Sequence, residues 1–265
     1  MCLRAIAGRV LVLTVSFLMA SLLVYGQQKS GSISAILLKQ YSKINWWHEY
    51  QRAHPDKEYG DSLVNANLKF QELLGKYGKI PSTLSANFKE LKDAGIYVTT
   101  SEDRLFRIYS WDTRLGGTMR IFYNVMQYKR GNRVFTKAAQ EKNFDAGKFY
   151  SKIYTHRDKG NAYYLACSSS IFSSRDIRQE ISIFSISDKG LNENVKLIKT
   201  KSGLTGKLSL DYNFHSVADR KERPIELIKY DKDKDAIKLA LVNDDLDVTN
   251  KLITYKFTGK YFEKQ

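Results

Sequence analysis

The sequence is poor in the residues that break or cross-link a chain. Its 265 residues contain only three prolines and two cysteines. Together with a content of 30 tyrosines and phenylalanines, this composition excludes collagen, a coiled coil, low-complexity disorder and a small scaffold held by disulfide bonds. With 43% hydrophobic and 27% charged residues, the chain has the composition of a folded globular protein with one sizeable core or two smaller ones.

The first 26 residues have the layout of a secretory signal peptide. Arg4 and Arg9 precede an apolar run over 10–25, and the run ends at Gly26 before a polar segment. We therefore expect cleavage after Gly26, export to the periplasm or the outside of the cell, and no transmembrane span in the mature chain. The alternative is an uncleaved membrane anchor, because about 16 apolar residues approach the minimum length of a spanning helix.

Cleavage would leave Cys167 as the one cysteine of the mature chain, because Cys2 is removed with the signal peptide. No intramolecular disulfide bond could then form, so the fold would depend on its core. Cys167 ends the apolar, strand-like run Ala162–Cys167, and no histidine in the sequence has a catalytic signature around it. The sequence predicts a buried, inert thiol instead of a nucleophile.

The chain is strongly basic, with a formal charge of +15 that falls to +13 when Arg4 and Arg9 are removed. An exported protein meets anionic lipid head groups, acidic polysaccharides and cell-wall polymers, so the charge favours those partners over nucleic acid. The basic residues are spread along the chain with acidic residues between them. The alternative is therefore a solvated basic surface that keeps the protein soluble.

Apolar residues recur at helical spacing over 27–95, the helical N-terminal segment. They predict three helices, which end at His54-Pro55, at Gly75 to Gly78 and at Gly95. The predicted apolar stripes are Ile33, Leu37, Tyr41, Ile44 and His48 on the first helix, Val64, Leu68 and Leu74 on the second, and Leu84, Phe88 and Leu91 on the third.

The pattern changes to period two over 96–265, where thirteen short candidate strands alternate with turns. The connections are too short for crossover helices, so the strands are expected to be mostly antiparallel. The predicted fold class is α+β, with the N-terminal helices packed on an antiparallel sandwich or barrel and a partial propeller as the alternative. We expect the helices and the β region to form one structural unit.

The densest candidate for a binding site is the segment 104–120. In an alternating strand Arg107, Tyr109 and Trp111 share one face, and a turn at Gly116-Gly117 would bring Met119 or Arg120 across from them. Such a face suits a carboxylated or sugar ligand, because arginine binds carboxylates bidentately and tryptophan stacks on a sugar ring. The alternative is a packed hairpin whose tryptophan fills the core and whose aspartate caps the turn. The predicted ligand-binding residues are Arg107, Tyr109, Trp111, Asp112 and Arg120.

The same segment carries a family resemblance. The run Ser101–Thr113 with the following Gly116–Met119, and the later Tyr255–Phe262, resemble segments of uncharacterised exported proteins of Bacteroidota. The resemblance covers roughly 81–128 and 225–262, and it implies export without assigning an activity. Arg104 follows Asp103 where the resemblance implies the glycine of an Asp-Gly turn.

Three other patterns resemble parts of metal or catalytic sites. Asp231–Asp235 begins like an EF-hand loop, but Ala236 replaces the required glycine and Val242 the bidentate glutamate, which favours a hairpin. His48 and His54 are six residues apart, which places them on different faces of a helix. The acidic segment 243–247 is also predicted to be a loop. No cofactor and no metal ion are expected.

These features predict an exported, non-enzymatic binding or envelope-associated protein, with an anionic glycan as the candidate ligand. One alternative is a cell-wall or polysaccharide hydrolase that uses a carboxylate pair such as Asp103 and Asp112. Another is a structural or inhibitory module with a flat apolar patch for a protein partner. Trp46 and Trp47 could line a glycan groove or dock their helix onto the sheet.

Overall fold

The computed structural model describes residues 31–57, 60–139 and 145–265, and the predicted signal peptide over 1–26 lies outside them. Four helices come first in the described chain. None of them combines the length and the apolar character needed to cross a membrane. Their bounds are 31–53 (α1), Ser62–Tyr77 (α2), Pro81–Ser85 (α3) and Lys89–Asp93 (α4).

Helix α1 follows the sequence pattern closely. Ile33, Leu37, Tyr41 and Ile44 are all buried, because positions three or four apart lie on one face of a helix. His48, the fifth residue of the predicted stripe, is only partly buried. The helix ends just before His54-Pro55, since proline disfavours a helical conformation of the residue before it.

Two predictions about the later helices are wrong. In α2 the buried stripe contains Leu63, Phe70 and Leu74, whereas the predicted Leu68 is exposed. The predicted third helix is two short helices, because Phe88 adopts a left-handed conformation with φ of 49° between α3 and α4. A left-handed residue cannot continue a right-handed helix.

Fifteen strands follow in the described part of the chain, with a short 3₁₀ helix at Phe214–Val217. Two of them, β8 and β10, were not predicted, because each has three residues and no apolar alternation. The strands are β1 Tyr97–Thr100, β2 Phe106–Asp112, β3 Phe122–Arg130, β4 Arg133–Ala138, β5 Phe149–Asp158, β6 Asn161–Ile171, β7 Asp176–Ser187, β8 Gly190–Asn192, β9 Ile198–Thr200, β10 Gly203–Thr205, β11 Lys207–Asn213, β12 Ile228–Asp231, β13 Ala236–Val242, β14 Val248–Phe257 and β15 Phe262–Lys264.

The strands form three sheets. The first sheet has the order β1-β2-β3-β4, the second β11-β7-β6-β5 with β8 beside β7, and the third β10-β9-β15-β14-β13-β12. Neighbouring strands are antiparallel except for the parallel pair β15 and β9. None of these sheets closes on itself, so the described strands form no barrel, and the predicted α+β sandwich is confirmed. Each sheet contains a meander of the kind found in propeller blades, and the partial propeller stays a prediction.

The helices and sheets stack as four layers with three cores between them. Trp111 and Val125 of the first sheet pack against the helices. Ile108, on the other face of that sheet, packs against Phe184 of the second sheet, whose opposite face joins the third sheet in the largest core. The central strands are therefore buried on both faces, and every residue from Phe106 to Trp111 is inaccessible to solvent or nearly so.

Candidate functional site

The structure separates the five predicted ligand-binding residues into a buried group of three and a partly exposed pair. Arg107, Tyr109 and Trp111 share one face of β2, as the strand pattern predicts. That face packs against the helices, so these three side chains are buried and cannot form an exposed ligand surface. The expectation that they share a binding face with Arg120 is therefore wrong.

Arg107 is held inside the protein by backbone and side-chain oxygens. Its guanidinium donates from Nη1 to the carbonyl of Thr83, from Nη2 to the carbonyl of Ala86 at 2.7 Å, and from Nε to Oγ1 of Thr100 at 2.7 Å. It also lies 5.5 Å from the centre of the Phe88 ring. These contacts fasten the segment between α3 and α4 to β2, so Arg107 stabilises the fold.

Tyr109 and Trp111 also find their polar partners inside the core. The hydroxyl of Tyr109 donates to Oε1 of Gln127 at 2.9 Å, and burial raises the pKa of Tyr109. The indole of Trp111 donates to Oδ1 of Asn67 at 3.0 Å and packs edge-on against Phe70. The alternative of a tryptophan that fills the core is confirmed for Trp111.

Asp112 and Arg120 are brought together at the end of β2, although not as a cross-strand pair. Tyr123 lies opposite Trp111 in the sheet, and residues 113–121 form an irregular loop. Oδ1 of Asp112 accepts the backbone N–H of Arg114 at 2.9 Å, which caps the turn as the alternative predicted. Its Oδ2 lies 3.0 Å from Nη1 of Arg120 and 3.3 Å from Nη1 of Arg114, so one carboxylate orients two guanidinium groups.

This loop faces one flank of α1 across a groove of about 490 Å³, which we call the arginine groove. Residues 45, 48, 49 and 52 contribute the helical side, since positions three, four and seven apart lie on the same flank. The ionisable residues that line the groove are His48, Glu49, Arg52, Arg114 and Arg120, and Gly116 lies in its loop wall.

Gly116 lets the loop wall fold tightly. A Cβ atom at this position would lie 2.1 Å from the carbonyl oxygen of Met119, whereas a Cβ at Gly117 would meet nothing within 4 Å. Neither glycine has a positive φ, and the left-handed residue of the loop is Arg114, with φ of 62°. Gly116 is therefore required because the backbone approaches it closely, and not because of a left-handed conformation.

The arginine groove is arranged for an anion. Three guanidinium groups line it, and on the helical side Arg52 is oriented by Glu49 at 3.4 Å. Each guanidinium has five N–H donors in a planar fork, so the contacts with Asp112 and Glu49 leave donors free for a bidentate contact with a carboxylate, sulfate or phosphate. The sequence did not reveal Arg52 and Arg114 as partners of Arg120, because only the fold places α1 beside the loop.

An aromatic surface continues from the groove around α1. Trp46 is 54% exposed, and its ring stacks on that of Tyr50 at 4.9 Å with an angle of 13° between the planes. Trp47 instead packs against the core between the helices and the first sheet. Each alternative therefore applies to one of the two tryptophans. Trp47 docks the helix onto the sheet, and Trp46 is exposed and available to a ligand.

The structure does not support the carboxylate pair proposed for the hydrolase alternative. Asp103 precedes β2 and Asp112 ends it, so the six steps of the strand between Phe106 and Asp112 separate them by about 20 Å. A glycosidase needs its two carboxyl groups within about 10 Å of each other. Asp103 and Asp112 therefore cannot act as an acid and base on one bond.

The remaining motifs have structural roles. Cys167 is buried, as predicted, and burial raises the pKa of its thiol to about 12; the low reactivity of this thiol stays a prediction. Asp231–Asp235 forms the tight hairpin between β12 and β13, as predicted. Among the described residues, no group of three or more histidine, cysteine, aspartate or glutamate side chains could hold a metal ion.

Comparisons with models of protein families, with curated proteins and with solved structures found no match to this chain.

Proposed function

We propose that the protein is an exported, non-enzymatic binding protein that holds an anionic glycan of the cell envelope in the arginine groove. The convergence of Arg52, Arg114 and Arg120 on one groove is the observation that carries the proposal. The layout of the first 26 residues and the Bacteroidota resemblance support export. A mature N-terminus at Gln27, measured by mass spectrometry of the native protein, would agree with this, and an intact Met1 at the membrane would contradict it.

The groove is prepared for its ligand before the ligand arrives. Asp112 is mostly shielded, with 17% of its side chain exposed, and it orients Arg114 and Arg120 through contacts within 3.3 Å. Oriented donors lose little conformational entropy on binding, so they gain affinity that free surface arginines would not. Asp112 thus acts as the positioning residue, and Arg120 makes the ligand contact.

A glycan is favoured over a simple anion by the exposed ring of Trp46. An aromatic ring offers a flat apolar surface to the face of a sugar ring, while the arginine groove binds its acidic substituent. Trp46 lies three residues before the groove-lining Glu49, so their side chains are neighbours on the surface of α1. An acidic polysaccharide chain could therefore contact both features at once.

The first experiment compares the parent protein with the double variant Arg114→Ala/Arg120→Ala. Binding is measured to polygalacturonate, to chondroitin sulfate and to uncharged dextran at one salt concentration. We expect the parent to bind an acidic polymer and not dextran, and the variant to bind at least about tenfold more weakly, because charge-assisted hydrogen bonds are lost. The variant should fold, since the two side chains are 34% and 43% exposed.

A matched control distinguishes a loss of the groove contacts from a general loss of positive charge. The double variant Arg175→Ala/Lys251→Ala removes the same two charges from exposed positions whose side chains make no ion pair within the described residues. It should bind within about twofold of the parent. Equal binding by parent and groove variant, or equal losses in both double variants, would overturn the proposal.

A third variant, Trp46→Ala, tests whether the ring of Trp46 contacts a sugar ring of the ligand. It should weaken binding of polygalacturonate while leaving binding of free galacturonate dimers through the arginines less affected. An unchanged affinity for the polymer would remove Trp46 from the site and leave a simple anion as the ligand.

A further inference from the structure

A second pocket lies where all three sheets meet, at the other end of β2 from the arginine groove. The loop between β1 and β2 comes from the first sheet, the edge strand β5 from the second, and the β12–β13 hairpin from the third. Its volume of about 380 Å³ is within the range of small-molecule pockets, roughly 300–1,000 Å³. We call it the three-sheet pocket. Its charged groups come from Glu102, Asp103, Arg157, Lys232 and Asp235, and its hydroxyl groups come from Thr155 and Tyr230.

Asp103 is fixed in one wall of the pocket. Its Oδ1 accepts from Oγ of Ser101 at 2.7 Å and from the backbone N–H of Leu105 at 3.1 Å. Its Oδ2 accepts from the hydroxyl of Tyr164 at 3.0 Å and from Nη2 of Arg157 at 3.2 Å. Four donors from three parts of the chain hold this carboxylate, so its orientation is set before any ligand binds.

Asp235 is fixed in the opposite wall. Its Oδ1 lies 3.0 Å from Nδ1 of His156 and accepts from the hydroxyl of Tyr230, which itself lies 3.1 Å from the same imidazole nitrogen. Asp235 is 41% exposed, so its other oxygen is accessible from the pocket. Burial and the neighbouring Asp235 raise the pKa of Tyr230, which keeps its hydroxyl protonated as a donor.

The imidazole of His156 contributes to the pocket as a buried support for Asp235. His156 is almost fully buried, and its Nε2 is enclosed without a hydrogen-bond partner among the described residues. Rings of Phe257 and Phe262 pack against the imidazole at 4.5 Å and 5.2 Å. A ligand in the pocket cannot exchange a proton with this nitrogen, so His156 positions Asp235 and does not act on a substrate.

The charges of the pocket select the class of ligand. Three carboxylates and two cations line it, and an ion pair between Lys232 and Glu102 joins its two sides. An anion would approach Glu102, Asp103 and Asp235, and a cation would approach Arg157 and Lys232, so a charged molecule of either sign meets repulsion. A ligand with adjacent hydroxyl groups can donate hydrogen bonds to the carboxylates and accept them from the guanidinium and ammonium groups. Such a ligand therefore fits this mixed lining.

We propose that the three-sheet pocket binds a neutral polyhydroxylated ligand of one or two sugar units, through the carboxylate of Asp235 and the guanidinium of Arg157, which Asp103 orients. This site is separate from the arginine groove and does not depend on the function proposed for it. The net charges of the two sites have opposite signs, since the groove has an excess of cations and the pocket has one carboxylate more than it has cations.

The test is a titration of the full mature chain followed by NMR, with the methyl glycosides of glucose, galactose, mannose and N-acetylglucosamine as probes. At up to about 50 mM, dissociation constants in the millimolar range are detected. We expect at least one sugar to shift the backbone amides of Thr155 and Arg157 on β5 while those of Arg114 and Arg120 stay in place. If none of the four sugars shifts the β5 amides, or if Ca²⁺ shifts them instead, the proposal is overturned.

Variants then assign the contact. The substitution Asp235→Asn keeps the size of the side chain and one oxygen that can accept from His156, so the variant should fold like the parent. It should bind the sugar at least about fivefold more weakly, because hydrogen bonds to a charged carboxylate are stronger. Glu102→Gln, at the rim, provides a second variant if Asp235→Asn fails to fold. Asp219→Asn, an exposed aspartate outside the pocket, is the matched control and should bind like the parent. The groove variant Arg114→Ala/Arg120→Ala should keep sugar binding, so failure of one site is distinguishable from failure of the other.

Discussion

The indole nitrogen of Trp111 donates to Oδ1 of Asn67 at 3.0 Å, and both side chains are fully buried. Asn67 also donates to the carbonyls of Leu63 and Thr113, each at 2.9 Å. One amide therefore joins α2 to the end of β2, at the point where the chain leaves the sheet and enters the wall of the arginine groove. The rigidity of that wall depends on a contact within the core.

We expect Trp111→Ala to lower the free energy of unfolding by about 3–5 kcal/mol, because it removes the largest fully buried side chain of the helix–sheet core. Trp111→Phe should cost about 1–3 kcal/mol, since it leaves Oδ1 of Asn67 buried without a donor. Urea denaturation measures both values. Trp46→Ala is the control, and a Trp111→Ala protein as stable as that control would show that Trp111 does not support the fold.

Arg104 adopts a left-handed conformation with φ of 56° in the turn before β2, and its side chain is exposed. Arg104→Gly should stabilise the protein by about 0.5–1 kcal/mol, because glycine adopts this conformation without steric cost. Arg104→Ala should give no such gain, since alanine keeps the Cβ. Thermal melts of the two variants compare them directly, and equal melting temperatures would contradict the explanation.

Gly116 and Gly117 should respond differently to the same substitution. Gly116→Ala forces a methyl group toward the carbonyl of Met119 and should cost about 1–3 kcal/mol. Gly117→Ala points into open space and should change stability by less than about 0.5 kcal/mol. Denaturant titration of both variants checks the difference, and the reverse order would show that the loop adopts another conformation.

Glu180 is a buried carboxylate in the second sheet, 2.6 Å from Nζ of Lys148 and 3.3 Å from Nζ of Lys207. Burial alone would raise its pKa, but the two ammonium groups and the hydroxyl of Ser182 outweigh burial and lower it. Because the folded pKa lies below the unfolded one, this stabilisation is complete above the unfolded pKa, near about 4.3, and is lost as pH falls through the folded pKa.

Glu180→Gln should therefore destabilise the protein by about 1–3 kcal/mol at pH 7 and by much less at the lowest pH at which the protein still folds. Unfolding free energies of parent and variant across this pH range measure the change. A difference that stays constant with pH would show that the charge of Glu180 contributes nothing.

Cys167 should react slowly with a thiol reagent in the native protein. With a pKa of about 12, roughly one thiol in ten thousand is ionised at pH 8, and the sulfur is also shielded from the reagent. Labelling should accelerate when urea unfolds the chain. Fast labelling of the native protein, accompanied by loss of polygalacturonate binding, would instead assign Cys167 to a functional site.

The sequence predicts local structure well where a single periodicity applies. The stripe of α1 and the hairpin at Asp231–Asp235 depend on neighbouring residues, and both are confirmed. Arg107 shows where such reasoning stops. The face of β2 on which Arg107 lies was predicted correctly, but the helices cover that face and bury the side chain. The sequence of β2 alone does not indicate that helices pack there.

The candidate sites were harder to predict, because each joins residues from distant parts of the chain. Arg52 and Arg120 meet only because α1 packs beside the loop after β2. In the three-sheet pocket, Asp103 and Asp235 lie on loops of different sheets. The order in which sheets stack is set by the total packing of their faces, which alternation along one strand does not specify.

Strand β15 lies in the middle of the third sheet, antiparallel to β14 and parallel to β9. It is the element that joins β9 and β10 to β12–β14, and its Phe262 is fully buried beside Ile198. The third sheet therefore cannot be completed until the ribosome has synthesised the chain as far as Phe262. Until then β9 and β10 have no link to β12–β14, and part of the apolar face of the second sheet stays uncovered in the nascent chain.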